Sequence, residues 1–294
     1  MATLTFTVPP EYDGETVQNF LRQGQGFSSR MVVRLKHTEN GIMVNGEHRR
    51  SIDRIRINDV LELQLPQDAI RVEPVDLPLS VIYEDDSLLV VDKPPYIAVH
   101  PSAFKPEPTL ASVVVGYYAK NGQSIAFRPT NRLDRNTSGL LLTAKNSHIA
   151  YALAQKVEKT YLAIVLGRLE GKGVIQQPIR IKDGCTITRE VGAGGKPSCT
   201  HYEALAGDGT ITLVRLHLET GRTHQIRVHM SWLGFPLAGD TMYGTDESVM
   251  SRHALHCSEM HFTHPLTGER MMLSSPLPTD MRECLIKHGL EADL

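Results

Sequence analysis

An aspartate between two arginines is the strongest candidate for chemistry in this sequence. Asp134 lies between Arg132 and Arg135, and a polar Asn-Thr-Ser-Gly segment then leads into the apolar residues 140–142. Neighbouring cations favour the ionised form of a carboxyl group, and an ionised carboxylate can act as a nucleophile or a base. The alternative is an ion pair that fastens a loop to a sheet, and the residues alone leave both interpretations open.

A lysine and a tyrosine two positions apart form a second candidate. Lys159 and Tyr161 would point to the same face of an extended segment, because side chains alternate along a strand. A tyrosine in this position can stack on a planar ligand and offer its hydroxyl as a polar group. A half-buried strand tyrosine without a ligand is the alternative interpretation.

Two further arginines lie in a third polar cluster, which spans residues 220–229 and reads T-G-R-T-H-Q-I-R-V-H. Arg222 comes just before a predicted helix, and Arg227 lies within that helix, next to the inward-facing Ile226. An arginine that points into a polar pocket needs an acidic partner. Asp134 is the expected partner, so the first and third clusters should meet in the fold.

Three helices are predicted around these clusters. Thr109 caps the first, because apolar residues recur at helical spacing after it. The second follows Asn146-Ser147 and passes through Ile149, Leu153 and Val157, which repeat every four residues. The third spans residues 223–233.

Strands are predicted where apolar residues run together or alternate. Residues 87–91 and 161–166 are short apolar runs of the kind found in buried strands. Residues 211–218 alternate with a slip at Val214, which indicates a bulge. These strands would place the polar clusters at their ends.

The N-terminal residues indicate a small, separate α+β module. A basic helix is predicted after the cap Ser28, and Asn45-Gly46 predicts a hairpin turn because both residues tolerate positive φ. Residues 30–56 include seven basic and three acidic residues. A surface with this excess of positive charge could bind RNA phosphates, or it could simply be solvated.

The size and composition suit a protein of two domains. The chain has 294 residues, of which 41% are apolar, and its net charge is −2. A proline-rich stretch divides it into a domain at 1–68, a linker at 69–80 and a domain at 81–294. No apolar run approaches the roughly 18–20 residues that cross a bilayer. With no secretory signal and no disulfide-like spacing of the four cysteines, we expect a cytoplasmic protein.

Three motifs in this order resemble those of the RluA-type pseudouridine synthases. They are R-L-D-x-x-T-S-G-L-L, K-x-Y and T-G-R-T-H-Q-I-R-V-H, and the resemblance spans about residues 81–280. It implies an α+β fold whose catalytic domain is built on a mixed, mostly antiparallel sheet. It also implies a monomeric isomerase that converts uridine to pseudouridine in a structured RNA without cofactor or metal. Residues 13–66 resemble an S4-type RNA-binding domain.

The resemblance also implies a role for individual residues. Asp134 matches the family's catalytic aspartate, Arg227 the arginine that pairs with it, and Tyr161 the aromatic residue that stacks on the target uracil. Arg132 matches a residue that holds the flipped nucleotide, since the glycosidic bond is inaccessible within a stacked helix. The remaining expected substrate contacts are Lys159, Arg222, Leu255 and, as phosphate-binding side chains of the S4-like domain, Arg30, Arg34 and Lys36. The family usually has histidine where this chain has Asn131.

Two other functions are compatible with the residues: an RNA-binding assembly factor without activity, and a nucleoside-bond hydrolase that releases free uracil. Ribosomal RNA is the favoured substrate, with transfer RNA as the alternative. No metal is expected, because the four histidines between residues 253 and 264 lack zinc-finger spacing and alternation would place them on two faces of a strand. The glycine-rich residues 192–196 lack a phosphate-binding motif.

Overall fold

The chain folds as an α+β protein with two main sheets. The computed structural model describes residues 3–66, 69–101, 108–154, 156–244 and 249–290. In those ranges, none of the helices combines the length and the apolar character needed to cross a membrane. The α+β class is the one that the motif resemblance implies.

The N-terminal part of the chain forms a four-stranded sheet that is antiparallel throughout. Its elements are β1 (Thr3–Thr7), a 3₁₀ turn (Pro10–Tyr12), α1 (Val17–Asn19), a π-helical turn (Phe20–Gly24), α2 (Ser29–Lys36), β2 (Met43–Val44), β3 (Glu47–His48) and β4 (Val60–Gln64). The strand order is β1-β4-β2-β3. Helix α2 begins where the sequence predicts, because the Ser28 hydroxyl accepts a hydrogen bond from the backbone N–H of Met31.

The rest of the chain forms a nine-stranded sheet, a two-stranded sheet and four helices within the described residues. The elements are β5 (Ser80–Glu84), β6 (Leu88–Lys93), α3 (Leu110–Lys120), β7 (Ser138–Ala144), α4 (Ser147–Leu153), β8 (Glu158–Leu166), β9 (Lys172–Ile175), β10 (Ile179–Ile181), β11 (Arg189–Val191), β12 (Thr200–Gly207), β13 (Ile211–Leu218), α5 (Gln225–Trp232), β14 (Leu255–Thr263), β15 (Arg270–Ser274) and α6 (Thr279–Lys287). The large sheet has the order β5-β6-β7-β14-β8-β13-β12-β9, and β15 pairs with β14. The predicted end of the first domain, residue 68, lies outside the described residues.

One parallel pairing brings together two segments that are distant in sequence. Strands β7 and β14 pair in parallel through residues 138–139 and 256–257, whereas the neighbouring pairs are antiparallel. Because the two strands run in the same direction, the loops that precede them lie at the same end of the sheet. The predicted mixed, mostly antiparallel sheet is confirmed.

The large sheet is covered on both faces. The alternation of side chains along β8 shows which helix packs on each face. Tyr161 and Val165 belong to a core cluster that includes Ile226 of α5. Leu162 and Ile164 point the other way, into a cluster with residues of α6. Helix α5 therefore packs on the same face of the sheet as the Tyr161 ring.

Helix capping explains where two predicted helices begin. The side chains of Thr109 and Ser112 each accept a hydrogen bond from the other's backbone N–H, a capping box that starts α3. The Asn146 side chain accepts from Ile149 N–H and starts α4. The sequence prediction is wrong at the other end of α4, which stops at Leu153 and does not reach Val157. Val157 is buried all the same, so its apolar spacing reflects packing outside the helix.

Two other predictions differ from the structure in detail. The bulge lies on β12, between Ala204 and Ala206, and not at Val214 of β13. Helix α5 begins at Gln225 and not at Thr223, because His224 has a left-handed backbone with φ of 57° and cannot continue a helix.

An aromatic stack joins the N-terminal core to α4. Phe27 packs on His148 with ring centroids 3.8 Å apart and an interplanar angle of 16°. Both side chains are buried, and burial lowers the pKa of His148 to about 4. The imidazole is therefore neutral in this contact near neutral pH.

Candidate active site

Asp134 lies on the turn that precedes β7. Its backbone carbonyl accepts a hydrogen bond from the N–H of Thr137 at 3.1 Å, and its side chain is 27% exposed. Arg227 of α5 donates from Nη1 to Asp134 Oδ2 at 3.2 Å. The structure thus brings together the aspartate and the arginine that the sequence analysis placed in one site, and leaves the carboxylate accessible to a ligand.

Lys93 holds the Asp134 turn from inside the protein. Its side chain is fully buried, and its ammonium group donates to the carbonyl oxygens of Pro94, Ile97 and Arg135 at 2.9, 2.9 and 3.0 Å. Since Arg135 adjoins Asp134, Lys93 ties this turn to the loop that follows β6. Burial lowers the pKa of Lys93 to about 7.

Arg252 supports the same turn from the loop before β14. It is fully buried, and it donates from Nε and Nη2 to the two carboxylate oxygens of Asp280 on α6, at 2.6 and 2.9 Å. Its Nη1 donates to the carbonyl oxygen of Asn136 at 2.9 Å. Two buried basic side chains therefore fix the backbone immediately after Asp134, and the parallel pairing of β7 with β14 is what brings Arg252 to it.

Arg227 has a second and closer acidic partner, Asp240. The guanidinium donates from Nε and Nη2 to the two oxygens of Asp240 at 2.7 and 2.8 Å, and Asp240 is fully buried. Burial would raise the pKa of Asp240, but the hydrogen bonds and charge of Arg227 hold it below its usual range. The sequence analysis named Asp134 as the expected partner of Arg227; in the structure that contact is the third hydrogen bond of an arginine already held in place by Asp240.

A glycine allows Asp240 to reach Arg227. Gly239 has a φ of +72°, and a Cβ there would collide with the backbone carbonyls of Met250 and Arg252. The Asp240 carboxylate also accepts hydrogen bonds from the backbone N–H groups of Met242 and Tyr243. This turn therefore presents a preorganised carboxylate to α5.

His224 lies beside the same carboxylate, in a left-handed backbone conformation. Its Nε2 is 3.9 Å from Asp134 Oδ2, and its Nδ1 is 2.8 Å from the Tyr243 hydroxyl. That hydroxyl accepts a hydrogen bond from the N–H of Arg189, which leaves its own proton for His224 Nδ1 and favours a tautomer with the ring proton on Nε2. Burial lowers the pKa of His224, so a neutral imidazole points its N–H towards Asp134.

Tyr161 lies in the core beneath the site. Only 5% of its surface is exposed, and it is the cross-strand neighbour of Cys257 on β14. Burial, together with Cys257, raises the pKa of Tyr161 well above its usual value. Its hydroxyl is therefore protonated at neutral pH. Leu255, on the same strand as Cys257, is also buried and adds an apolar surface near the tyrosine.

Lys159 is half-buried at the start of β8. Its ammonium group donates to the carbonyl oxygen of Val157 at 2.5 Å, and burial lowers its pKa. The structure therefore shows a backbone contact for Lys159, and a role in substrate binding stays a prediction.

The other arginines predicted to contact substrate are exposed. Arg132 precedes Asp134 by two residues and has an exposed side chain. Arg222, also exposed, donates from Nε to the carbonyl oxygen of Pro197 at 3.2 Å. Both lie close in sequence to residues of the site, and their contact with substrate stays a prediction.

Three predicted phosphate contacts lie on α2, in the N-terminal sheet module. Arg30 and Lys36 are exposed, and Arg34 is partly exposed. Elsewhere in the same basic stretch, Arg49 pairs with Glu47 at 3.0 Å and Arg50 with Asp53 at 2.9 Å. Part of the positive charge is therefore balanced within the module, and α2 is one of several segments of the module that present basic side chains to solvent.

Asn131 is a structural residue in this protein. It is buried, its amide donates to the carbonyl oxygen of Leu140, and its Oδ1 accepts from the N–H of Leu142. The side chain thus pairs with the backbone of β7. This position, where the family usually has histidine, helps to hold the strand that follows the Asp134 turn.

The histidines near the C-terminus have separate partners. His253 is 2.9 Å from the hydroxyl of Thr137, His256 is 3.0 Å from that of Ser138, and His264 is 3.0 Å from the carboxylate of Asp85. In the part of the chain that the structure describes, these rings do not converge on a common point.

Sequence reasoning missed the residues that support the site. These are Lys93, His224, Asp240, Tyr243 and Arg252. His224 lies inside one of the three motifs, and Lys93 follows the predicted strand 87–91 by two residues. Their positions were visible, but their contacts were not. Asp240, Tyr243 and Arg252 lie in irregular loops, where no apolar periodicity marks a residue as buried.

Comparison with known proteins shows which family this chain resembles over most of its length. The sequence profile described as RNA pseudouridylate synthase matches residues 87–232. A Bacillus subtilis protein, described as the uncharacterized RNA pseudouridine synthase YjbO, is 37% identical over 88% of this chain and 95% of its own. Ribosomal large subunit pseudouridine synthase D of Vibrio parahaemolyticus is 33% identical over 95% of this chain and 92% of its own.

One solved structure of a human protein is also similar to this chain. Human RNA Pseudouridylate Synthase Domain Containing 1 superposes with a TM-score of 0.58 at 28% identity, over 72% of this chain and 90% of that chain. Identity of this level over most of the chain, combined with a shared fold, shows common family membership. The protein belongs to the RNA pseudouridine synthase family and is an isomerase.

Proposed function

We propose that this protein converts uridine to pseudouridine in the RNA of the large ribosomal subunit, with Asp134 as its catalytic residue. The observation that carries the assignment is the contact between the accessible carboxylate of Asp134 and the buried guanidinium of Arg227, at 3.2 Å. The names of relatives such as the Vibrio parahaemolyticus synthase support the choice of RNA.

The reaction rearranges bonds within one nucleotide. The bond between N1 of uracil and C1′ of the ribose breaks, the base turns, and C5 bonds to C1′. The proton on C5 then leaves, and N1 gains a proton, so that substrate and product have the same composition. Asp134 would serve this sequence at the sugar, as a nucleophile or as a base.

The surrounding side chains would each favour part of this sequence. Arg227 fixes the orientation of the Asp134 carboxylate, since its own position is fixed by Asp240. Tyr161 offers a ring for stacking on the base and a protonated hydroxyl as a hydrogen-bond donor. Because the glycosidic bond is shielded in a stacked helix, the nucleotide must be flipped out, and Arg132 on the exposed side of the turn would hold it.

The N-terminal module would supply RNA affinity as an S4-like domain. Its exposed basic residues on α2, Arg30 and Lys36 among them, match the phosphate contacts expected of such a module. Because Asp134 and Arg227 meet within one chain, we further propose that the protein acts as a monomer. The ribosomal RNA in the names of bacterial relatives favours a cytoplasmic location.

Pseudouridine mapping of ribosomal RNA tests this function. RNA from cells lacking the protein is compared with RNA from cells that regain the wild type or Asp134→Asn. We expect specific pseudouridines of the large-subunit RNA to disappear and to return only with the wild type. Release of free uracil by the purified protein would show a hydrolase, and an unchanged map with retained RNA binding would show a non-catalytic assembly factor.

A further inference from the structure

A cysteine, a histidine and a glutamate converge where β12 begins and β13 ends. Cys199 and His201 are two residues apart, so they share a face of the strand. The N–H of Glu219 donates to the carbonyl oxygen of Cys199, which places Glu219 opposite Cys199 on the neighbouring strand. In the described residues, these side chains are the one group of three that could share a metal ion.

The distances in this group are close to those of a tetrahedral zinc site. Cys199 Sγ lies 3.7 Å from His201 Nε2, which lies 2.6 Å from Glu219 Oε1, and the three donor atoms are all within 4.8 Å of one another. Zinc bond lengths of about 2.0 Å to nitrogen or oxygen and 2.3 Å to sulfur require donor separations of about 3.3–3.6 Å. The cysteine–histidine distance already fits, and the histidine–glutamate pair must open by roughly 0.7 Å on that criterion. The Glu219 side chain is 59% exposed, so solvent borders it and leaves room for that adjustment.

The donor set suits zinc better than the hard cations. A thiolate, an imidazole and a carboxylate are all ordinary zinc ligands, whereas magnesium and calcium prefer oxygen alone. Burial and the neighbouring Glu219 raise the pKa of the Cys199 thiol, so without a metal it is an unreactive thiol. Binding would release its proton to solvent, since the thiolate is the form that binds metals.

The group lies on the opposite face of the sheet from Tyr161. His201 pairs with His217, and His217 pairs with Thr160 of β8, so these residues share a face. The adjacent Tyr161 points to the other face, where α5 packs. A metal in this position would not touch the reacting nucleotide.

The position indicates a structural role. The backbone of Cys199 is joined to the segment that leads into α5, because its N–H donates to the hydroxyl of Thr220 and its carbonyl accepts from the amide of Gln225. Gln225 is the first residue of α5, and that helix carries Arg227. We propose that Cys199, His201 and Glu219 bind a zinc ion, with water as the fourth ligand, and that this site clamps β12 to the segment before α5.

Metal titration of the full-length, untagged, metal-free protein tests this site. Cobalt(II) serves as a spectroscopic probe, and zinc affinity is measured by competition with a chromophoric chelator. The wild type should bind one equivalent and give a thiolate-to-cobalt charge-transfer band in the near ultraviolet. Cys199→Ser should abolish this band, and Cys185→Ser, which changes an exposed cysteine, should retain it.

His201→Gln is the variant that keeps the test independent of folding. The His201 side chain is 41% exposed, so its replacement should leave the circular dichroism spectrum unchanged. We expect zinc to bind at least about tenfold more weakly, as removal of even an outer partner of a metal ligand has that effect. Zinc binding by His201→Gln or Cys199→Ser as tight as in the wild type, or none in the wild type, would overturn the proposal.

Discussion

Arg227 is shared between two carboxylates, and the one that holds it is not the one that reacts in our proposal. Asp240 accepts two hydrogen bonds from Arg227, at 2.7 and 2.8 Å, and Asp134 accepts one, at 3.2 Å. Asp240 is fully buried, whereas Asp134 is partly exposed. The buried pair thus fixes the guanidinium, and the remaining N–H group positions the accessible carboxylate.

We expect Asp240→Asn to reduce the rate of pseudouridine formation through the position of Arg227. The substitution keeps the shape but leaves a buried guanidinium without its main counter-charge, which should lower the free energy of unfolding by about 3–5 kcal/mol. In the fraction that stays folded, kcat should fall at least tenfold while KM changes little. Denaturant unfolding and steady-state kinetics measure the two effects.

Asp183→Asn is the matched control for that variant, because Asp183 forms an exposed ion pair with Arg180. Its stability should stay within about 0.5 kcal/mol of the wild type. A normal kcat in folded Asp240→Asn would show that Arg227 needs no second carboxylate.

We expect Lys93→Met to disturb the Asp134 turn. The substitution removes the donor for three part-buried carbonyl groups, including that of Arg135. A fully buried carbonyl left without a partner costs about 1–3 kcal/mol, which sets the upper end of the expected loss for each. Stability should therefore fall and kcat should fall with it, since the backbone next to Asp134 loses its support. Lys120→Met is the control, since Lys120 is exposed, and equal kinetics in the two variants would contradict the positioning role.

The stack of Phe27 on His148 predicts that the protein loses stability in mild acid. A histidine whose pKa is about 4 in the folded state and about 6.5 when unfolded stabilises the fold fully above pH 6.5, and this contribution is lost as pH falls towards 4. At pH 5 the loss amounts to about 2 kcal/mol. Comparing the unfolding free energy of the wild type and His148→Gln at pH 7 and pH 5 measures it. The variant should show the smaller pH dependence, and identical slopes would exclude His148 as the cause.

We expect the basic residues of α2 to contribute to RNA affinity and not to chemistry. Replacing Arg30, Arg34 and Lys36 by alanine should weaken RNA binding and flatten its salt dependence by about two to three units, at roughly 0.7–0.9 per phosphate contact. The rate at saturating RNA should change little. An unchanged salt slope would show that this face of α2 is merely solvated and that the catalytic domain does all the binding.

The sequence predicts the elements of this fold better than the supports of its site. Ser28, Thr109 and Asn146 mark helix starts because capping is a local interaction. The partnership of Arg227 with Asp134 was expected from motifs. The pairing of Lys93 with the carbonyl of Arg135, 42 positions away, has no local signature and depends on the packing of the sheet.

The predictions that were wrong or missing elsewhere also concern residues whose burial depends on long-range packing. The apolar spacing of Val157 reflects burial after the chain has left α4, which periodicity alone cannot distinguish from a longer helix. Asp240 reaches Arg227 through a turn that follows α5, and nothing in its neighbours indicates burial. Long-range contacts of this kind are set by tertiary structure and become visible only in three dimensions.

The rate of Asp134→Asn with ribosomal RNA tests the central claim most directly. The substitution keeps the shape and the contact with Arg227 but removes the charge that acts at the sugar. With RNA that carries tritium at C5 of uridine, tritium release should be abolished under single-turnover conditions, while RNA binding and thermal stability stay near those of the wild type. Residual turnover within about tenfold of the wild type, a change in barrier of only about 1.4 kcal/mol, would contradict the assignment of Asp134 as the catalytic residue.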